Sequence, residues 1–386
     1  MKILSAAVAA SIFGIAAFTP TSQKQATQAK AIPISPAEQK IQVAILLDVS
    51  NSMDGLIEQA KAQLWNMVTV LGKAKCPNGN PKIEIALYEY GRPSNDPKAG
   101  YVKRISGFTS DLDQLSQDLF KLTTNGGDEY CGWVIHTSLD ELKWDSASSN
   151  YKVIFIAGNE DFLQGTVRYS QSCDEAKRKG VIVNTIYCGD RMQGIREHWN
   201  LGGECGDGSF TNINQDARIE DIPTPYDSTL VTLNYKLNGT YLWYGNFGAA
   251  NYSKQASADK ANFSANQSQG IKRTKAKAYA NVYSNSSWDL IDANYADSNF
   301  YKTVDMKTLP DSLKNKTREE LKQIVETKNK ERTVIQKQIL TVGSQRENYI
   351  AAAKTKAAST NNTQTLESEV EKIIKTQVQR FNMKID

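Results

Sequence analysis

The feature that most constrains this chain is an alternation of two patterns between residues 40 and 222. Short runs rich in β-branched and aromatic residues alternate there with longer segments in which apolar residues recur every three to four positions. Strands joined by crossover helices produce this alternation, which predicts a largely parallel sheet. The first run, residues 41–47, is almost wholly apolar, as expected of a central strand buried on both faces.

The following segments continue the alternation. A helix is predicted over residues 55–71, with its apolar residues on one face. Strands are predicted at 82–90, 101–108, 152–157, 181–187 and 208–213, of which the second and the last should lie at sheet edges. Further helices are predicted at 110–122, where Ser110 and Asp111 provide the cap, at 131–142 and at 169–179. The expected fold is a Rossmann-like, doubly wound α/β sheet with helices on both faces.

The composition changes after Pro223, where Asn, Ser, Ala and Lys become abundant. The last strand-like run is 230–244, and residues 223–300 are expected to form an extension packed on the main domain. Residues 301–386 should be mainly helical. A capping box at Thr317 and Glu320 opens a long amphipathic helix, and a second amphipathic helix is expected over 365–381. Core packing is favoured over partner binding for both stripes.

The first 31 residues have the pattern of a secretory signal followed by a short linker. One lysine precedes an apolar run over residues 3–18, which is short for a stable membrane anchor. Cleavage after Ala17, or as late as residues 29–31, would export the chain to the periplasm or the cell exterior, with an uncleaved anchor as the alternative. No later apolar stretch reaches the length of a membrane span, so none is expected in the mature chain.

Charge and cysteine content limit the possible functions. The chain has 46 basic and 42 acidic residues, a net charge of +4, and they are interleaved, which does not favour nucleic-acid binding. In an oxidising compartment the five cysteines would form two structural bridges and leave one thiol over. No C-x-x-C pair occurs, so neither a zinc knuckle nor a thioredoxin-type motif is indicated. The cysteines are Cys76, Cys131, Cys173, Cys188 and Cys205.

The candidate site lies where the first strand ends. Asp48, Ser50 and Ser52 alternate directly after the apolar run, at the edge where open α/β sheets bind ligands. One carboxylate and two hydroxyls on one loop suit a hard cation, which takes oxygen ligands. The alternative is that these residues only cap the following helix.

This D-x-S-x-S loop resembles that of the von Willebrand factor A (VWA) family, in which it forms a metal-ion-dependent adhesion site (MIDAS). The resemblance covers residues 40–222 and implies the family's α/β fold. Segments 222–227, 233–238 and 288–292 are similar to the tails of bacterial exported proteins with such a domain, which implies that tail and domain form one architecture.

The family completes its site with a threonine from a second loop and an aspartate from a third, and this chain departs from both. Aligned on its paired glycines, the second loop has Asp128 at the threonine position, with Glu129 beside it and Thr123 or Thr124 as less favoured substitutes. In the third loop Gly158 or Asn159 falls where the aspartate would be, which leaves Glu160 or Asp161 as candidate carboxylates.

The resemblance therefore implies a divalent cation, Mg²⁺ or Ca²⁺, with the larger Ca²⁺ favoured by the additional carboxylates. The alternative for Asp128 and Glu129 is that they cap the next helix. The predicted metal site comprises Asp48, Ser50, Ser52, Asp128, Glu129 and Glu160.

No enzymatic signature is present: G-x-S-x-G, H-E-x-x-H and the P-loop are missing, and the only histidines are His136 and His198. We therefore predict a binding protein, not an enzyme, which holds an unidentified protein ligand at the metal-bearing edge. Its oligomeric state stays open. The alternatives are a hydrolase that uses Asp48, Asp128 and Glu160 around metal, and a metal-free structural component of an envelope complex.

Overall fold

The structure, a computed structural model, describes residues 39–77, 79–214, 221–356 and 365–385. The predicted signal segment and linker, residues 1–31, lie outside these ranges. Of the helices within the ranges, none is both long enough and apolar enough to cross a membrane.

A six-stranded sheet forms the centre of the molecule. The strands of the chain are β1 (Lys40–Asp48), β2 (Ala74–Lys75), β3 (Lys82–Tyr90), β4 (Lys103–Thr109), β5 (Tyr151–Gly158), β6 (Ile182–Cys188), β7 (Asp207–Ile213) and β8 (Lys384–Ile385). The order of the sheet is β4-β3-β1-β5-β6-β7, and β2 pairs separately with β8. Neighbouring strands run parallel, except that β4 is antiparallel to β3. The predicted α/β class and both predicted edge strands are confirmed.

Strand β1 lies at the centre because its side chains are apolar on both faces. It pairs with β3 on one side and with β5 on the other, and most of it is fully buried. The chain proceeds from β1 to β3 in one direction and later to β5 in the other. The order of the strands therefore reverses at β1, and open α/β sheets generally bind ligands at the carboxyl ends of the strands at such a point, here β1 and β5.

Helices cover both faces of the sheet, as predicted. Those between the strands are α1 (Asp54–Gly72), α2 (Leu112–Lys121), α3 (Cys131–Glu141), α4 (Tyr169–Lys179), α5 (Arg191–Arg196) and α6 (Trp199–Cys205). The Asp111 side chain caps α2 by accepting a hydrogen bond from the backbone amide of Gln114, 2.9 Å away. Two separate apolar cores result, one under α1 and the other under α3.

Within the described ranges, eight α-helices follow the sheet, and with it they form one compact unit. They are α7 (Asp227–Asn238), α8 (Gly248–Ala265), α9 (Gln267–Lys277), α10 (Leu290–Ala296), α11 (Phe300–Thr303), α12 (Asp311–Lys314), α13 (Arg318–Lys356) and α14 (Leu366–Gln377). The strand-like interpretation of 230–244 was wrong. Leu230, Leu233 and Leu237 recur at helical spacing and are buried on one side of α7.

Both predicted amphipathic helices are present. The Thr317 hydroxyl and the Glu320 carboxylate form the predicted capping box at the start of α13. Helix α14 continues as a short 3-10 turn over Val378–Phe381, and its apolar stripe packs on α1 and on β7. The last helix of the chain therefore covers the sheet core under α1.

The cysteines form one bridge, between Cys173 of α4 and Cys205 of α6, and the expected second bridge is not formed. Cys131 and Cys188 are both buried, but they belong to the cores on opposite faces of the sheet. The sheet between them keeps the two thiols apart. Cys76 is the third free thiol among the residues described, which include all five cysteines.

Candidate metal centre

The loop after β1 folds back on its own carboxylate. The backbone amide of Ser50 donates a hydrogen bond to Asp48 Oδ1 over 2.7 Å, and the two serine hydroxyls of Ser50 and Ser52 lie 3.3 Å apart. Asp48 and Ser50 are buried, whereas Ser52 is exposed. The loop thus presents oxygen atoms in a line from the interior of the sheet edge to its surface.

The second loop is held against the first by a backbone hydrogen bond. The amide of Asn125 donates to the carbonyl oxygen of Val49 over 2.8 Å. This contact places Glu129, at the end of the second loop, with only 4% of its surface exposed. Its carboxyl group lies within hydrogen-bonding range of Asp48 and of the Ser50 hydroxyl.

Gly91 makes room for the two carboxyl groups. Its φ of +82° is in the left-handed region that favours glycine. A Cβ atom at this position would lie 2.9 Å from Glu129 Cγ and 3.0 Å from Asp48 Oδ1. Sequence reasoning missed this residue, although a glycine directly after a strand that adjoins β1 was a signal for close approach at the site.

One oxygen of each carboxyl group is buried without a partner. Asp48 Oδ2 and Glu129 Oε2 accept no hydrogen bond from any residue that the structure describes. An unpaired buried carboxylate oxygen is costly, because it has lost water and gained nothing in exchange. Two such atoms in one place fit a cation, which would supply the partner that both oxygens lack among the described residues.

The pKa values of the pair reflect this environment. Burial, followed by the negative charge of Asp48, raises the pKa of Glu129 to about 9. Burial also raises the pKa of Asp48, although hydrogen bonds from Glu129 and Ser50 oppose the shift. With both pKa values raised, the metal-free pair favours a bound proton. A divalent cation would displace that proton.

The third loop contributes an amide and a more distant carboxylate. Asn159 Nδ2 donates to the Ser52 hydroxyl over 3.1 Å, so an asparagine stands beside the outer serine. Glu160 is exposed and hydrogen-bonds Gln164 at 3.4 Å. Its charge contributes to raising the pKa of both Asp48 and Glu129. Glu160 thus acts on the pair through space.

The structure does not bring Asp128 into this group. Its carboxylate is exposed and accepts a hydrogen bond from the Tyr130 hydroxyl over 3.4 Å. Thr124, a less favoured substitute, donates its hydroxyl to Asp54 instead. Of the two adjacent acidic residues, Glu129 is therefore the one directed towards Asp48.

The buried side chain of Tyr90 lies next to the two carboxyl groups and carries no charge. The hydroxyl of Tyr90 donates to the carbonyl oxygen of Ala157 over 3.0 Å and is fully buried. Burial, with Cys131 and Asp48 nearby, raises the pKa of Tyr90 well above its ordinary value. A neutral phenol here leaves the charge of the carboxylates uncompensated.

No cluster of three His, Cys, Asp or Glu side chains suited to a metal occurs within the described ranges. A metal centre at this edge would instead combine the carboxylates of Asp48 and Glu129 with the hydroxyls of Ser50 and Ser52. That donor set consists only of oxygen atoms, which suits Mg²⁺, Ca²⁺ or Mn²⁺.

The architecture is an open, mostly parallel α/β sheet flanked by helices, with an Asp-Ser-Ser loop at the carboxyl end of its first strand. No family model and no curated protein match the sequence. Solved structures of similar fold include the SpRpn10 VWA domain, which is 14% identical, with a TM-score of 0.35; the match covers 46% of this chain and 90% of that domain.

Two further matches are less similar by TM-score. Proximal thread matrix protein 1 from the mussel byssus, with a zinc-occupied MIDAS motif, is 13% identical, with a TM-score of 0.33. That match covers 45% of this chain and 42% of the mussel protein, so the chain spans less than half of it. An aerotolerance-related membrane protein from Bacteroides fragilis is 15% identical over 46% of this chain and 93% of that one, with a TM-score of 0.32. At these values the matches support nothing about ligands or activity.

Proposed function

We propose that this protein is an exported, VWA-type binding module that holds a protein ligand through a divalent cation. The cation would bind where β1 ends, among the loops that carry Asp48, Glu129 and Glu160, which we call the Asp48 edge. The observation that carries the proposal is the pair of unpartnered buried oxygens, Asp48 Oδ2 and Glu129 Oε2. In the proposed centre these two carboxylates and the hydroxyls of Ser50 and Ser52 are ligands. Glu160 adds negative charge from outside, and Asp128 is not a ligand.

Such a centre would bind a partner without performing chemistry on it. Two carboxylates neutralise a divalent ion and hydroxyl ligands add no charge, so an open position on the metal would accept an oxygen atom of the partner as a further ligand. The buried Tyr90 phenol next to the site, whose pKa is raised well above its ordinary value, would not act as a base near pH 7. The proposal also includes the organisation of the chain into a domain (residues 40–222), an extension (223–300) and a helical region (301–386). It further includes export directed by the first 31 residues.

Calorimetric titration of the purified chain with Mg²⁺, Ca²⁺ and Mn²⁺ tests the proposal. The native chain should bind at least one of these ions, and Glu129→Gln should weaken binding by about ten- to a hundredfold, because it removes a charged ligand. No binding heat with any of the three ions would refute metal dependence.

Asp128→Asn provides the matched control. It makes the same loss of charge one residue away, on a carboxylate that faces the Tyr130 hydroxyl. It should change metal affinity by less than about threefold, since only screened, long-range charge is lost. If Asp128→Asn abolishes binding while Glu129→Gln leaves it intact, the assignment of ligands is reversed.

A further inference from the structure

Exposed apolar side chains lie beside the Asp48 edge, in the loops that follow β5 and β6. Leu163, Met192 and Ile195 are 45%, 58% and 37% exposed. Large apolar groups on a surface normally cost free energy, and a contiguous group of them marks an interaction site more often than an isolated one does. We call these three side chains, with Arg191 and Arg196, the α5 surface.

The two loops that carry this surface are joined by hydrogen bonds. The amide of Phe162, next to Leu163, donates to the carbonyl oxygen of Glu197 over 2.9 Å. The side chains of Asp161 and His198 are linked over 3.0 Å. Leu163 is therefore held beside the end of α5, and Asn159 in the same loop donates a hydrogen bond to Ser52.

The geometry of α5 gathers its remaining members on one side. At 100° per residue, Arg191, Ile195, Met192 and Arg196 follow one another within about 140° of the helix circumference. The opposite side faces the sheet: a Cβ atom at Gly194 would lie 2.6 Å from the ring of Tyr187. Two apolar side chains thus lie between two arginines, directed away from the sheet.

Both guanidinium groups are held in place. That of Arg191 lies 4.7 Å from the centre of the Phe210 ring, and Arg196 Nε donates to Gln193 Oε1 over 3.1 Å. Planar cations fixed on either side of an apolar strip are complementary to carboxylates on either side of an apolar side chain.

From this arrangement we infer that the α5 surface docks a segment of a partner protein in which apolar side chains are flanked by acidic residues. The apolar group would cover Met192 and Ile195, and the carboxylates would pair with Arg191 and Arg196. Because Glu160 and Asp190 are exposed on the same segments, a carboxylate is held only where it reaches Arg191 or Arg196 directly, which a discrete peptide segment can do and a uniformly anionic membrane cannot. The surface is separate from the proposed metal centre and needs no metal ion.

Fluorescence anisotropy with three labelled peptides tests this inference, in buffer that contains a chelator. The first peptide has two leucines flanked by glutamates, the second has lysines in place of the glutamates, and the third has serines in place of the leucines. The chain should bind the first about tenfold more tightly than either of the others. Because chelator is present throughout, failure of the metal proposal leaves this result readable.

Variants then locate the binding. Ile195→Ser and Arg196→Gln should each weaken binding of the first peptide by about fivefold or more. Tyr235→Ser, which removes an aromatic ring that is 72% exposed on α7, should leave it unchanged. Equal binding of all three peptides, no binding, or full affinity in the Ile195 variant would overturn the inference. So would Ile195-dependent sedimentation with phosphatidylglycerol vesicles if the first peptide does not bind, because the surface would then be a membrane contact.

Discussion

At the scale of single residues, the Asp48 edge is a place where the fold keeps negative charge out of water. Two carboxyl groups that share a buried site cannot both ionise cheaply, because each lacks solvent and each repels the other. In the absence of metal the conflict is relieved by a proton on Glu129, whose pKa burial and Asp48 raise to about 9. A bound divalent cation would relieve the same repulsion while both carboxyl groups stay ionised.

The stability of the metal-free protein should therefore depend on pH. Glu129 has an ordinary pKa of 4.5 and a folded-state pKa of about 9, so between these values the folded state holds a proton that the unfolded state has lost. The free energy of unfolding should be highest below the ordinary value and should fall as pH rises to about 9. Urea unfolding in chelator between pH 5 and about 9 measures this, and Glu129→Gln should flatten the dependence. An unchanged slope in the variant would contradict the assignment.

Gly91→Ala should damage the centre more than its backbone strain alone explains. The new Cβ would meet Glu129 and Asp48, in addition to straining a φ of +82°. Gly245→Ala is the matched control, because Gly245 has a φ of +80° but open space around it. Both variants should lose about 1 kcal/mol or more of stability, and only Gly91→Ala should lose metal affinity by calorimetry. Equal affinities in the two variants would show that Gly91 does not shape the site.

The sequence was sufficient to propose the first part of the candidate centre, but not to choose between two neighbouring carboxylates for the second. Asp48, Ser50 and Ser52 follow from the strand that ends at Asp48, which is local information. Asp128 and Glu129 are adjacent and chemically alike, so no local pattern decides which one turns inward. That choice depends on the bond between Asn125 and Val49, which joins two loops far apart in the chain. Alignment on the paired glycines put Asp128 at the threonine position with Glu129 beside it, and both were predicted ligands; in the structure the Glu129 carboxyl is the one within hydrogen-bonding range of Asp48.

At the scale of elements, buried ion pairs connect the helices after the sheet to the helices that flank it. The guanidinium group of Arg273, on α9, pairs with Asp113 of α2 at 2.8 Å and with Asp259 of α8 at 2.5 Å. It also lies 4.5 Å from the ring of Trp65 on α1. Lys277 completes the group by pairing with Asp259 at 2.9 Å. Removing one partner from such a network would leave the others charged and unpaired.

Replacing Arg273 should therefore be costly. Arg273→Met keeps much of the side-chain volume but leaves Asp113 without its cation and Asp259 with Lys277 alone, and should lower the free energy of unfolding by about 3–5 kcal/mol. Lys254→Met breaks a partly exposed ion pair between α8 and Asp111, the residue that caps α2. It should cost at most about 1 kcal/mol. Urea unfolding of the two variants beside the native chain gives both values. Similar losses would mean that the network is not what joins these helices.

Elements with one dominant period were predictable, and those with competing signals were not. The strands of the sheet and the helices α13 and α14 follow from apolar periodicity and from capping residues. Helix α7 was taken for a strand, because tyrosine, valine and threonine in 230–244 favour β-structure locally. Burial of Leu230, Leu233 and Leu237 against the rest of the molecule overrides that preference. The pairing of β2 with β8 could not be predicted, since it joins two-residue strands about 310 residues apart.

At the scale of the whole molecule, the last described α-helix completes the apolar core that lies between the sheet and α1. Leu366, Val370, Ile373 and Ile374 of α14 are buried and belong to the same apolar core as β1 and α1. At the far end of α14, the side-chain amide of Gln377 exchanges hydrogen bonds with Asn184 of β6 and accepts one from the Tyr151 hydroxyl. A segment that begins more than 150 residues after β7 thus supplies part of the cover for the sheet.

A chain that ends at residue 356 should therefore lose cooperative stability, because it lacks α14 and leaves one face of the sheet core open. Loss of the four buried aliphatic side chains of α14 removes about 6 kcal/mol or more of stabilising free energy from apolar burial. That is a large fraction of the free energy of unfolding of a typical domain. Thermal unfolding and dye binding to exposed apolar surface measure the loss, and a synthetic peptide of residues 365–386 added in trans should restore part of it. Where the shortened chain does not fold, Ile374→Ala in the full chain gives the same information, with an expected cost of about 2–5 kcal/mol. If the shortened chain unfolds at the same temperature as the full chain, the sheet does not depend on its last helix.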